Sequence, residues 1–85
     1  SSDAYFYRAS KAAVNNLMVT FSSELKNYKI PVASFHPGWV RTDMGGSYAS
    51  LSPEESAKAL IKLILDLNMK DSGNFFNYDG SNLHL

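Results

Sequence analysis

The 85-residue chain contains no cysteine. Disulfide staples and zinc–thiolate centres are therefore excluded as sources of stability or chemistry. Eight basic and eight acidic residues leave a formal net charge of zero. That balance offers no electrostatic footprint for nucleic acid or an anionic membrane. No apolar run approaches the roughly 20 residues of a membrane-spanning helix, and no signal-like segment opens the chain. A soluble, cytoplasmic protein is the expectation. Internal repeats and low-complexity tracts are lacking as well. The two histidines, His36 and His84, stand far apart in the sequence with no cysteine beside either, so no metal site is expected. What the chain does have is ordinary globular composition, 45% hydrophobic and 19% charged. At this length only about 60% of the unfolded surface is buried on folding, so a core of its own would be marginal.

Glycine and proline are missing from Ser1 to Lys29. Ser1, Ser2 and Asp3 are suitable N-caps. Ala13, Leu17, Phe21 and Leu25 recur every fourth residue, widened by Val14 and Met18, which predicts a helix of about 20–25 residues with one broad apolar face. "IPVASF" from Ile30 to Phe35 reads as a short strand, and Pro37-Gly38 ends it. "VRTDMGGSYAS" reads as a loop. "SPEE" from Ser52 to Glu55 starts a second helix, with Ser52 as N-cap, Pro53 at the first helical position and Glu55 closing a capping box. Ala57, Leu60, Ile61, Ile64 and Leu65 give that helix its expected buried face, ending near Asn68. "DSGN" turns the chain, and "FFNYDG" from Phe75 to Gly80 reads as a second strand. Helix, strand, helix, strand in alternation favours parallel strands joined by crossover helices, an α/β fold. Two short strands need neighbours. Either a larger doubly wound domain or copies of the same chain would supply them.

Tyr7 and Lys11 lie one helical turn apart in "YFYRASKAAVNNL". With five tyrosines in 85 residues, a Tyr-x-x-x-Lys pair alone is close to what chance placement gives. Geometry gives the pair meaning, because residues i and i+4 share a helical face. An ammonium there favours phenolate over phenol, and a tyrosine so tuned can pass a proton to or from a carbonyl or alcohol oxygen. The second segment is "HPGWVRTDM", from His36 to Met44. It follows a strand at its C-terminal end, where open α/β sheets place ligands.

Taken together, these segments resemble the short-chain dehydrogenase/reductase family. "YRASK" matches its Tyr-x-x-x-Lys signature, "PGWVRTDM" its Pro-Gly-x-Val-x-Thr segment, and "FFNYDG" its last strand and Asp-Gly turn. The match runs in the correct order over nearly all 85 residues, and the wording looks most like the C-factor-like carbonyl reductases within the family. The resemblance implies the C-terminal part of a Rossmann-like, doubly wound parallel sheet. It implies that Tyr7 is the general acid/base, and that Lys11 assists it and binds the ribose of a nicotinamide cofactor. Pro37, Gly38 and the backbone of Val40 would hold the nicotinamide. Thr42 would bind the carboxamide or the pyrophosphate, and Trp39 and Met44 would border the substrate pocket. The cofactor the resemblance implies is NAD or NADP, with a lean to NADP. The substrate it implies is a small carbonyl or alcohol, and no nucleic acid or membrane partner is expected. The first helix is also expected to join a homo-oligomer, through residues such as Ala12, Asn16 and Phe21.

No G-x-x-x-G-x-G dinucleotide turn occurs in the chain. The family's upstream serine and asparagine have no counterpart either, since only six residues precede Tyr7. The expectation is therefore that residues 1–85 form the C-terminal catalytic part of a single NAD(P)-binding domain, with about the first 60% of the fold missing and no turnover by the isolated chain. Two other classes stay open: a binding or signalling module that retains the cofactor site without catalysis, and a self-associating fragment. His36 is expected to serve structure rather than metal, Arg8 a surface or interface, and Asp43 a loop cap. Phe75, Phe76 and Tyr78 are expected to pack the core.

Overall fold

The computed structural model describes residues 2–38 and 51–84. The uninterrupted run of helix formers gives α1, Ser2–Leu25, with Asp3 placed favourably for the helix dipole in the first turn. A 3₁₀ turn, Lys26–Tyr28, closes it. Lys29 then takes a left-handed backbone (φ 58°) and returns its N–H to the Lys26 carbonyl at 3.0 Å. Strand β1 is Ser34–His36. Helix α2 is Pro53–Leu65, with both halves of the Ser52/Glu55 capping box formed. Strands β2, Phe75–Asn77, and β3, Asn82–Leu83, complete a three-stranded sheet of order β1-β2-β3. Among the described residues, no helix is long and apolar enough to cross a membrane.

β1 and β2 are parallel, with Ser34, Phe35 and His36 opposite Phe75, Phe76 and Asn77. This is the α/β arrangement expected from the alternation of elements. β2 and β3 are antiparallel, so the sheet is mixed, and the two-residue β3 is an addition to the sequence expectation. The turn between them is braced by Asp79. Its Oδ1 accepts from the Ser81 hydroxyl at 2.6 Å and from the Ser81 N–H at 2.9 Å. The hydroxyl first, then the amide, holds the Asp79 carboxyl below its ordinary 3.8. A depressed carboxylate supports the fold above its unfolded titration range and loses that support as pH falls through the folded one.

The strand expected over Ile30–Phe35 is shorter than its sequence suggested. Pro31 has no N–H to give, and the Ser72 hydroxyl takes the Val32 N–H at 2.9 Å. A side chain thus replaces a ladder bond. The strand expected over Phe75–Gly80 stops at Asn77, where Gly80 N–H closes a turn on the Asn77 carbonyl at 2.9 Å.

Side chains alternate across the sheet. Phe35 stacks on its partner Phe76, centroids 5.9 Å apart and planes 28° apart, and both line a small pocket with Leu63 and Leu67. The face of α2 turned inward therefore runs through Ser56, Leu60 and Leu63. Ala57, Ile61, Ile64 and Leu65, expected inside, are exposed. α2 carries two apolar stripes, and the one that brings Ser56 to the end of β1 packs. The same holds for α1. Asn15 and Met18 are buried, and the stripe of Val14, Leu17 and Phe21 lies on an open flank beside Val32 and Ala33.

Candidate active site at the C-terminal end of the parallel strands

α1 carries Tyr7 and Lys11 on one face, as their spacing requires. The Lys11 Nζ lies 5.9 Å from the centre of the Tyr7 ring, close to the limit of a cation–π contact. Ser10 donates its hydroxyl to the Tyr7 carbonyl at 2.8 Å and so pins the local turn. Tyr7 is 59% exposed. Among the described residues neither its hydroxyl nor the Lys11 ammonium has a hydrogen-bond partner. A phenol and an ammonium left open side by side suit a ligand that offers hydroxyl or carbonyl oxygens.

One turn further along, Asn15 is 4% exposed and accepts the Ser34 hydroxyl at 2.8 Å. This bond ties α1 to β1. Loss of the Ser34 hydroxyl would leave the buried Asn15 oxygen unpaired, at a cost of about 1–3 kcal/mol. It also sets the geometry of the site. From Asn15 to Tyr7 the helix rises roughly 12 Å. From Ser34 to Gly38 an extended chain advances roughly 13 Å. The short connection over residues 26–33 turns the strand back against the helix. Tyr7 and Lys11 and the Pro37–Gly38 turn therefore lie at the same end of the sheet.

That turn is held from several directions. Gly38 has φ of 82°, a conformation that only glycine adopts without strain. A Cβ there would lie 2.5 Å from Leu51 Cδ1 and 2.6 Å from Tyr78 Cδ1. The Gly38 N–H donates to His36 Nδ1 at 3.0 Å, and the Ser56 hydroxyl donates to the Pro37 carbonyl at 2.7 Å. His36 thus has the structural role expected of it. Tyr78 packs against the turn as well as lying after β2. No group of three or more histidine or acidic side chains able to hold a metal occurs among the described residues.

Of the residues singled out from the sequence, the structure pairs Tyr7 with Lys11 and places Pro37 and Gly38 at their end of the sheet. Trp39, Val40, Thr42 and Met44 lie outside the described residues, as does Asp43. Asn15, Ser34 and Ser56 carry no mark in the sequence reading. For Asn15 a signal existed, a polar residue four positions after Lys11 within an apolar run.

The short chain dehydrogenase family model matches residues 2–52, which include both Tyr7–Lys11 and Pro37–Gly38. The chain belongs to the short chain dehydrogenase family. Over 78 residues the chain is 42% identical to the C-signal protein of Myxococcus xanthus, covering 92% of the chain and 47% of that protein. Its structure is similar to the carbonyl reductase Sniffer of D. melanogaster, with a TM-score of 0.88 and 43% identity over 95% of the chain and 33% of Sniffer. It is also similar to a carbonyl reductase from chicken fatty liver solved with NADPH bound, with a TM-score of 0.82 and 38% identity over 93% of the chain and 32% of that protein. The α/β fold is thus that of Rossmann-like reductases, and the chain spans less than half the length of each of these relatives.

Proposed function

We propose that the full-length protein bearing this chain is an NAD(P)-dependent oxidoreductase that interconverts a small carbonyl compound and its alcohol. Residues 1–85 form the C-terminal catalytic part of its single nucleotide-binding domain. The observation that carries this reading is the open Tyr7–Lys11 pair at the end of the sheet where the Pro37–Gly38 turn lies. Family membership and the NADPH-bound relative support it. The exposed stripe of Val14, Leu17 and Phe21 supports the domain assignment, since an apolar flank of this kind is what further elements of a larger sheet cover.

Tyr7 and Lys11 would hold the nicotinamide ribose. Pro37, Gly38, the Val40 backbone and Thr42 would hold the nicotinamide itself, with NADP the favoured form. The residues present fit such a group: among the described residues the Tyr7 hydroxyl and the Lys11 ammonium have no hydrogen-bond partner, and the glycine turn presents little bulk. Bound nicotinamide supplies or takes up the hydride. The Tyr7 hydroxyl gives its proton to the carbonyl oxygen in reduction, and Lys11 stabilises the phenolate left behind. Trp39 and Met44 border the substrate. The isolated chain lacks the glycine-rich dinucleotide turn and is not expected to turn over.

The test is incubation of the full-length protein with NADPH and a simple aromatic aldehyde. Loss of the reduced-nicotinamide absorbance that requires both aldehyde and protein is the expected result. Nucleotide binding without consumption, over a panel of aldehydes and ketones and with NADH as well, would instead identify a binding module.

A further inference from the structure

The Pro37 carbonyl and the Gly38 N–H are the two polar ends of one peptide unit. Each is taken by a side chain: Ser56 Oγ donates to the carbonyl at 2.7 Å, and His36 Nδ1 accepts from the N–H at 3.0 Å. A Pro-Gly peptide can flip between two turn types, and the φ of 82° at Gly38 belongs to the one in which glycine is left-handed. Flipping that plane would break both bonds. Ser56 has little else to do with its hydroxyl. It is 4% exposed, and its own N–H is spent on the Ser52 carbonyl at 3.1 Å. The capping box beside it fixes the first turn of α2 without it. Ser56 lies 18 positions beyond Gly38, on a different element, and it touches the turn from the side of α2.

We propose that Ser56 is a positioning residue for the nicotinamide end of the cofactor, acting through the Pro37–Gly38 peptide. Its hydroxyl selects one orientation of that peptide and so the direction in which the chain leaves Gly38. The inference rests on the oxidoreductase reading above and adds to it the device that sets the nicotinamide-side turn. Loss of the hydroxyl removes one of the two bonds that hold the plane and leaves the His36–Gly38 bond alone, while the helix stays capped.

The full-length protein is first titrated with NADPH and with NADH by nicotinamide fluorescence, and the tighter ligand is kept. Ser56→Ala is expected to raise its Kd about fivefold to tenfold, the worth of one buried hydrogen bond. Affinity for the matching fragment without nicotinamide, adenosine 2′,5′-bisphosphate or ADP, is expected to stay within about twofold of wild type. An unchanged dinucleotide Kd overturns the proposal. Equal weakening of dinucleotide and fragment overturns it as well, because a general loss of structure would act on both. If wild-type protein binds neither dinucleotide, the oxidoreductase reading itself fails, and that result is distinct from a failure at Ser56 alone.

Discussion

Tyr7→Phe in the full-length protein is expected to lower kcat for aldehyde reduction about 10²–10⁴-fold, the usual worth of a positioned proton donor. Phenylalanine keeps the ring, and with it the 5.9 Å approach of the Lys11 ammonium, and removes only the hydroxyl. The exposed ring is not part of the core, so stability should be unaffected. NADPH affinity should fall by no more than a few-fold, since Lys11 and the glycine turn remain. A turnover number within a few-fold of wild type would show that the proton comes from another group. Tyr5, two residues away and even more open to solvent, is the control: Tyr5→Phe should be silent.

Gly38→Ala is expected to destabilise the protein by about 2–5 kcal/mol and to weaken NADPH binding at least as strongly as Ser56→Ala. Two costs add. A left-handed backbone costs an alanine about 1–2 kcal/mol. Overpacking a closed site costs about 1–3 kcal/mol more, and here the added methyl would meet Leu51 at 2.5 Å and two atoms of the Tyr78 ring at 2.6 and 2.9 Å. Leu51 is itself buried and cannot swing away freely. Urea unfolding of the two full-length proteins measures the first effect and nucleotide fluorescence the second. A variant as stable as wild type would mean that the turn can take up another conformation. That result would contradict the clamped peptide described above.

The parts of the fold legible in the sequence are those whose causes are local. The start of α2 was legible because Ser52, Pro53 and Glu55 satisfy the first turn within four residues. The end of β1 was legible from Pro37-Gly38. The Tyr7–Lys11 pairing was legible from helical periodicity. The strand boundary at Ser34 was not, because the group that takes the Val32 N–H in place of a ladder bond belongs to Ser72, 40 positions after Val32. The inward faces of both helices were not legible for a related reason. Each helix carries more apolar residues than one face needs, and distant partners decide which stripe packs: the Pro37 carbonyl for Ser56, and Ser34 for Asn15. These polar tethers link residues 19 positions apart, and neither serine stands out from its neighbours in composition. β3 escaped because two residues, Asn82 and Leu83, carry no periodicity at all. The Tyr7–Lys11 pair was thus visible in the sequence, while the groups that hold the turn at its end of the sheet emerged only with the fold.

The most direct measurement follows the hydrogen itself. Full-length protein is given an aldehyde and NADPH dideuterated at the nicotinamide C4, and the alcohol formed is weighed by mass spectrometry. The reading of the Tyr7–Lys11 site as that of a nicotinamide-dependent reductase predicts one deuterium on the former carbonyl carbon for each NADPH consumed, with the hydroxyl proton drawn from exchangeable sources. Alcohol whose new carbon-bound hydrogen comes from solvent, or no alcohol at all from a protein that binds NADPH, would contradict it.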